Sequence, residues 1–381
     1  MRWIPRLKIA HKLPLLILAS AALVSAGVGV SSYLVAQSAV ETLTRQRLES
    51  TAAERSEELI SYLSSTADDL SSRAATAGDS IRDFVAGWKS IKEGVPAEVL
   101  RQAYIDNNPN PPGKKIELDR AEGQLSYNFV HGALHPSFRS LIEKRGYYDI
   151  FLFDNDGNLV YSAFKEDDFG QNFAAGGGPY ADTGLGAAFR GANATEIPGM
   201  VVFADFAAYA PSAGAPAAFM AMPAFDARGN KQGVIAVQLP NDHINQIFDH
   251  VRGLGETGEV FLVGSDNLRR NDSHHSPEND VLTASFESPL GQAALNGTPS
   301  FGVGSNEMNE KTVLAATKAS FGGVNWIVYA EQAWSEAEIP VVEMRNTMVM
   351  VALGLLVGTA LLALLFSRQI TRPLAGLTRA M

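Results

Sequence analysis

Apolar and polar positions divide the chain into three regimes. Residues 15–35 and 348–366 carry no charged side chain. At about 1.5 Å of rise per residue they would reach roughly 32 and 28 Å as helices, close to the roughly 30 Å of a bilayer's hydrocarbon core. From 37 to 91 the pattern is that of a long amphipathic helix. That stretch holds no proline, and Leu59, Leu63, Leu70, Ala74, Ala77, Ile81, Phe84, Trp88 and Ile91 recur at steps of three, four or seven. Such steps put them on one helical stripe, roughly 80 Å long if the helix is continuous. The stripe predicts packing on the chain's own domain, on a second copy, or on each in different parts. The run NNPNPPG at 107–113 breaks the helical pattern, and a shorter helical patch follows at 119–145.

From residue 148 the period changes to that of strands and turns. Two apolar runs, 148–153 and 159–162, flank the turn 154–158 and predict a hairpin. A glycine-containing helix is expected at 184–190, strands at 200–209, 217–225 and 233–239, and a closing helix at 241–253. A smaller version of this plan follows. A strand at 259–263 with a turn at 265–267 resembles the first hairpin, and later strands fit 300–303, 312–318 and 326–330. Strand, polar turn, strand, helical insert and three strands, twice in tandem, predict an α+β fold with two small antiparallel sheets carried on a long N-terminal helix.

Charge sets the orientation. Arg2, Arg6, Lys8 and Lys12 precede the first apolar stretch, and Arg368, Arg372 and Arg379 follow the second. Both termini are therefore expected in the cytoplasm and the long middle outside it. A small-residue cleavage pattern, Ala19-Ser20-Ala21, would fit a signal peptide, but the apolar run continues to Val35 and favours a span. The 31 basic and 41 acidic residues leave a net charge of −10, which argues against nucleic acid as a partner. With no cysteine in the chain, disulfides, thiolate metal sites and cysteine nucleophiles are excluded.

Few motifs carry chemistry. Asp154-Asn155-Asp156-Gly157 opens like a calcium loop, but Leu159 and Lys165 stand where glycine and glutamate are needed, so a hairpin turn is expected. The glycine-rich run at 253–258 is acidic and lacks the Gly-Lys-Ser/Thr of a phosphate cradle. His274 and His275 are adjacent, share no face and fit an exposed loop better than a metal site. No arrangement for catalysis, cofactor or metal stands out. On a regular strand Asp205 and Tyr209 share a face, with Phe219 and Gln238 on following strands and Tyr180 in the preceding insert. These five residues are the candidate pocket for a small molecule, with Lys165 and Arg190 the nearest bases in sequence. Asp205 is its expected carboxylate. Gly354 and Gly358 in the second apolar stretch permit close helix contact.

The order of these pieces resembles bacterial methyl-accepting chemotaxis receptors with a double Cache sensor. Three segments carry the resemblance: GYYDIFLFDNDGNLVYSAFKEDDFGQN at 146–172, GLGETGEVFLVGSDNLRRNDS at 253–273, and SRQITRPLAGLTRAM at 367–381, which is similar to the first helix of a HAMP relay domain. The resemblance implies two PAS-like modules, a small-molecule ligand in the membrane-distal one, and a homodimer signalling through the second span. It divides the chain into a cytoplasmic start (1–14), a first transmembrane helix (15–36), a long periplasmic helix (37–93), a membrane-distal Cache module (94–250), a membrane-proximal one (251–340), a second transmembrane helix (346–366) and a truncated HAMP start (367–381). The expected setting is the inner membrane, with lipid around both spans. The chain is expected to be a fragment or truncated product, with downstream signalling partners only if a longer chain exists. The same input could serve a histidine kinase or cyclic-dinucleotide enzyme, or a membrane-anchored binding protein without output. Amino-acid-binding members carry an Arg-x-Trp-Tyr element and an aspartate at the end of the last distal strand. Here the former is absent and Gln238 stands at the latter position.

Overall fold

The structure, a computed structural model, describes residues 9–249, 253–306, 309–366 and 369. The expected HAMP start therefore lies, apart from residue 369, outside the described residues. Helix α1 runs unbroken over Ile9–Lys89 and joins the first apolar stretch to the amphipathic one. At 1.5 Å per residue it is roughly 120 Å long. After it come the short α2 (Pro96–Arg101) and α3 (Ser126–Arg145). Gly146 closes α3 at φ 72°, where its N–H reaches the Ile142 carbonyl.

The first sheet contains β1 (Asp149–Phe153), β2 (Leu159–Ser162), β3 (Val202–Tyr209), β4 (Ala215–Phe225) and β5 (Lys231–Leu239), in the order β2-β1-β5-β4-β3. Every pairing is antiparallel. Helix α4 (Gly184–Asn193) lies over one face, and α5 (Asn241–Phe248) leads out. The second sheet contains β6 (Glu259–Val263), β7 (Ser300–Ser305), β8 (Lys311–Phe321) and β9 (Val324–Ala333), in the order β6-β9-β8-β7, with α6 (Pro289–Leu295) over it. The short α7 (Trp334–Ala337) then leads into α8 (Ile339–Phe366).

The second block differs from the predicted plan in one respect: the chain after β6 forms no partner strand. It makes only the single bridges Val263↔Arg269 and Leu268↔Ser285. Asn271 explains this locally. Its side-chain oxygen accepts the Leu262 N–H at 2.7 Å, so a side chain occupies the position of a strand carbonyl.

The apolar stripe of α1 is consumed by its own chain. Leu59, Leu63, Leu70, Ala74, Ile81 and Phe84 are buried in one continuous core. One face of each sheet joins it, with Ile150, Leu152, Met220 and Val237 from the first and Val260, Leu262, Ala315 and Val328 from the second, as do Leu100 of α2, Tyr127 of α3 and Ile244 of α5. The part of the stripe from Leu59 to Phe84 packs on the chain's own domains, as expected for at least part of it. The second sheet sits on the earlier part of α1, where Ser56 donates to the Lys318 carbonyl. The first sheet sits on the later part, where Phe84 and Tyr161 rings lie 4.8 Å apart. The second module is thus proximal to the apolar ends of α1 and α8, and the first is distal. Both ends belong to helices long and apolar enough to cross a membrane.

Gly78 marks the tightest approach of α1 to the distal sheet. A Cβ there would lie 2.2 Å from the backbone carbon of Phe225. Alanine normally improves a helix interior over glycine by about 1 kcal/mol, but overpacking against backbone costs about 1–3 kcal/mol. Gly78→Ala is therefore expected to lower the thermal midpoint of the detergent-solubilised chain. Gly29→Ala, with nothing within 4 Å, should leave it unchanged or raise it. Equal midpoints for the two variants would contradict this packing.

Candidate ligand site

Strand alternation gives the distal sheet two unlike faces. The face away from α1 carries Phe151, Phe153, Phe219, Ala221, Val234 and Ala236 under α4. Asp149 and Gln238 extend this face by the same period of two, and they stand opposite one another in the β1–β5 register. Both are buried. The segment after β2 turns back over them, with Lys165 held at φ 59°.

A polar network fills this end of the sheet. Asp149 accepts the N–H groups of Ile150 (2.6 Å) and Ala163 (2.8 Å) and the Ser162 hydroxyl (2.7 Å). Glu166 accepts from the hydroxyls of Tyr148 (2.7 Å) and Ser212 (2.8 Å), and the Gln238 amide donates to Ser212 at 3.2 Å. Tyr209 donates to Asp168 Oδ2 at 2.7 Å and packs edge-on against Phe219. Lys165 donates to the Ser162 carbonyl, with its ammonium 4.3 Å from the Tyr161 ring centroid. Two acceptors in this network have no donor: Asp168 Oδ1 and Gln238 Oε1.

Burial dominates the electrostatics. It pushes Asp168 up to about 8, with the nearby Asp149 charge adding to the rise and the Tyr209 hydrogen bond opposing it. Burial likewise raises Asp149 and Glu166 and lowers Lys165, whose ammonium form the Asp149 and Asp168 charges favour. Three carboxyl groups and one amine thus share a water-poor space that disfavours the charged form of each.

The structure brings four of the five sequence candidates to this face. Tyr209, Phe219 and Gln238 lie as described, and Tyr180 packs at its edge, half-buried. Asp205 does not. The register shifts between Ala204 and Ala207, a β-bulge that interrupts the alternation and turns Asp205 away from the face of Tyr209. Its carboxylate instead binds Arg270 of the proximal module at 2.8 Å and the Trp326 indole N–H at 2.9 Å. Arg190 is likewise committed, to the Ala181 carbonyl. The residues missed in sequence are Asp149, Glu166, Asp168 and Ser212. A usable signal existed: an acidic residue in phase with Phe151 and Phe153, followed by the charged run 165–168 directly after β2. The Asp154 turn is the expected hairpin turn, with Asp154 Oδ1 accepting the N–H groups of Asp156 and Asn158. Among the described residues no group of side chains is arranged to hold a metal ion.

The Cache domain family model matches residues 36–341, most of the chain and both modules. The chain belongs to the Cache domain family. A probable chemoreceptor, y4sI, of Sinorhizobium fredii is 26% identical over 159 residues, covering 40% of this chain but only 19% of that relative's length. Among solved structures, the ligand-binding domain of the Pseudomonas aeruginosa chemoreceptor PctB in complex with L-Gln is similar at 14% identity, with 81% of this chain and 98% of that one covered and a TM-score of 0.43. That of the Pseudomonas fluorescens chemoreceptor CtaA in complex with L-isoleucine is similar at 14% identity, with 79% and 95% covered and a TM-score of 0.42.

The placement of Asp205 reverses what its mutation should do. Asp205→Asn removes one of the two carboxylates, with Asp266, that pair with Arg270, a side chain only 3% exposed. Losing a charged hydrogen-bond partner costs about 1.5–3 kcal/mol. The variant is expected to unfold at lower temperature and to bind ligands of the distal face as the parent does. An unchanged melting temperature with weakened ligand binding would return Asp205 to the ligand site.

Proposed function

We propose that this Cache protein is a transmembrane receptor of the chemotaxis type, whose distal module binds a small ammonium-bearing solute outside the cytoplasm. The observation that carries the reading is the pair of enclosed acceptors without donors, Asp168 Oδ1 and Gln238 Oε1. Buried acceptors left unpaired cost free energy, and an ammonium group supplies the missing donors with a compensating charge. Asp149, Glu166 and Asp168 outnumber Lys165, so the local charge favours a cation, and Tyr180, Tyr209 and Phe219 offer aromatic faces to it. Gln238 in place of an aspartate therefore does not deprive the site of a carboxylate, because Asp168 supplies one from the neighbouring segment.

Both apolar helices cross the inner membrane in this reading, with the termini in the cytoplasm. The relay runs through β9, which continues through α7 into α8, so a ligand that favours one arrangement of the modules biases the second span by its differential affinity for the two states. A second copy of the chain completes the receptor. Gly354 and Gly358 have nothing within 4 Å of an added Cβ, which leaves that face of α8 open to a partner helix.

Thermal-shift screening of small amines and amino acids against the full chain in detergent identifies the ligand, and calorimetry tests the site. Asp168 titrates near 8 without ligand, and an ammonium binds its ionised form. Affinity should therefore rise about tenfold per pH unit from pH 6 towards 8 and then level off. Stability without ligand runs the other way. The raised folded value means that the folded state holds the extra proton, so the Asp168 contribution is lost as pH rises between about 4 and 8. In Asp168→Asn both trends should flatten, and binding should weaken about ten- to hundredfold. Parental affinity and pH slope in this variant would refute the assignment.

A further inference from the structure

The proximal module repeats the geometry of the distal site with a different set of charges. In the distal sheet the first residue of β1, Asp149, stands opposite Gln238 of β5, which neighbours Phe219 of β4. In the proximal sheet the first residue of β6, Glu259, stands opposite Glu331 of β9, which neighbours Leu314 of β8. The two pairs occupy equivalent register positions. Both also lie on the face turned away from α1. Phe261, Leu314 and Tyr329 of that face form a separate core under α6, and Glu259, Thr312 and Glu331 continue it by the strand period of two.

Above these residues lies a cavity of about 410 Å³, within the usual range for small-molecule sites. Its floor holds Glu259, Glu331, Arg269 and Thr312, its wall Phe286, and its exposed rim Glu256 and Glu310. Arg269 binds Glu259 through both guanidinium nitrogens, at 2.9 and 3.1 Å. Two carboxylates and one guanidinium leave the floor one negative charge in excess, and the rim adds more of the same sign. Independently, the Thr312 hydroxyl lines this cavity, is 2% exposed and has no hydrogen-bond partner. Asp280 Oδ2, on the same lining, also has none.

We infer that the proximal module holds a second ligand site, which takes a small aliphatic amine as its ammonium form. The ammonium offsets the excess charge between Glu331 and Glu259 and donates to Thr312, and the alkyl part lies against Phe286. A cavity of this size is far larger than a bare metal ion needs, and the apolar wall suits a carbon skeleton. The site does not depend on the distal reading, since no residue is shared.

The test is calorimetry of the full chain in detergent with n-butylamine at neutral pH, and 1-butanol as the uncharged probe of equal length. The titrations run in parent and in an Asp168→Asn background, so that binding at the distal face is separated from binding here. The expected result is that n-butylammonium still binds in the Asp168→Asn background and 1-butanol does not. Glu331→Gln in that background should weaken binding about ten- to hundredfold. Thr312→Val, which keeps volume and removes only the hydroxyl, should weaken it about three- to tenfold with no fall in melting temperature. If Glu331→Gln fails to fold, Thr312→Val carries the test alone. The inference is overturned if n-butylammonium gives no binding heat in the Asp168→Asn background, if 1-butanol binds equally, or if Thr312→Val binds as the parent does.

Discussion

Burial of one stripe of α1 against two sheets at once holds the molecule together. Both sheets turn their inner faces to this helix, and α3 adds Tyr127, Leu141 and Ile142 beside it over the distal sheet. Leu59 and Leu63 lie in the same core as Leu70, Ala74, Ile81 and Phe84, with the buried Thr66 between the two groups. Each fully buried Leu or Phe side chain contributes about 1.5–3 kcal/mol relative to exposure, which makes the stripe the largest shared stabilising element. Because α1 also continues into the first apolar stretch, the element that assembles the modules is also one of the two helices long and apolar enough to cross a membrane.

The outer faces have the opposite character. There each sheet is covered by a short helix, α4 or α6, and a loop segment that brings in Phe173 or Phe286, and the ends of β1 and β6 carry acidic side chains. The inner faces are apolar throughout one core, whereas the outer ends carry the buried polar groups. Between the modules, Asp205 on the β3 bulge grips Arg270 and Trp326, while Phe203 packs edge-on against Trp326 at 5.7 Å. The β8–β9 turn presses into the same joint, with Gly322 at φ 56° where a Cβ would lie 2.6 Å from Phe203. This joint connects β3 of the distal sheet to β9, which continues through α7 into α8.

The elements were legible in the sequence because burial on one side imposes a period. The stripe of α1, the hairpin β1–β2 and the runs that become β4 and β5 all follow from spacing alone. What failed to show was whatever breaks the period. The bulge at Ala204–Ala207 moved Asp205 out of phase with Tyr209, and no residue type there announces it. The segment after β6 looked like a strand, but Asn271 satisfies the backbone with its side chain. At the candidate site, Tyr209, Phe219 and Gln238 could be found by their strand positions, and Tyr180 only as an aromatic of the preceding insert. Asp168 could not, since it arrives from a loop, and a loop's path over a sheet is set by contacts distant in sequence. The acidic floor of the proximal module was legible only as the first residue of a strand, and its partner Glu331 only once the register was known.

The central claim is that α1 and both sheets form one cooperative unit. Native-state hydrogen exchange on the full chain in detergent tests it most directly. The account predicts that backbone amides of α1 from about residue 48 to 84 are among the slowest to exchange. They should open with the same free energy and denaturant dependence as those of β4, β5, β8 and β9, as one global event. Exchange of α1 amides well before either sheet, or opening of the two sheets with separate free energies, would contradict it.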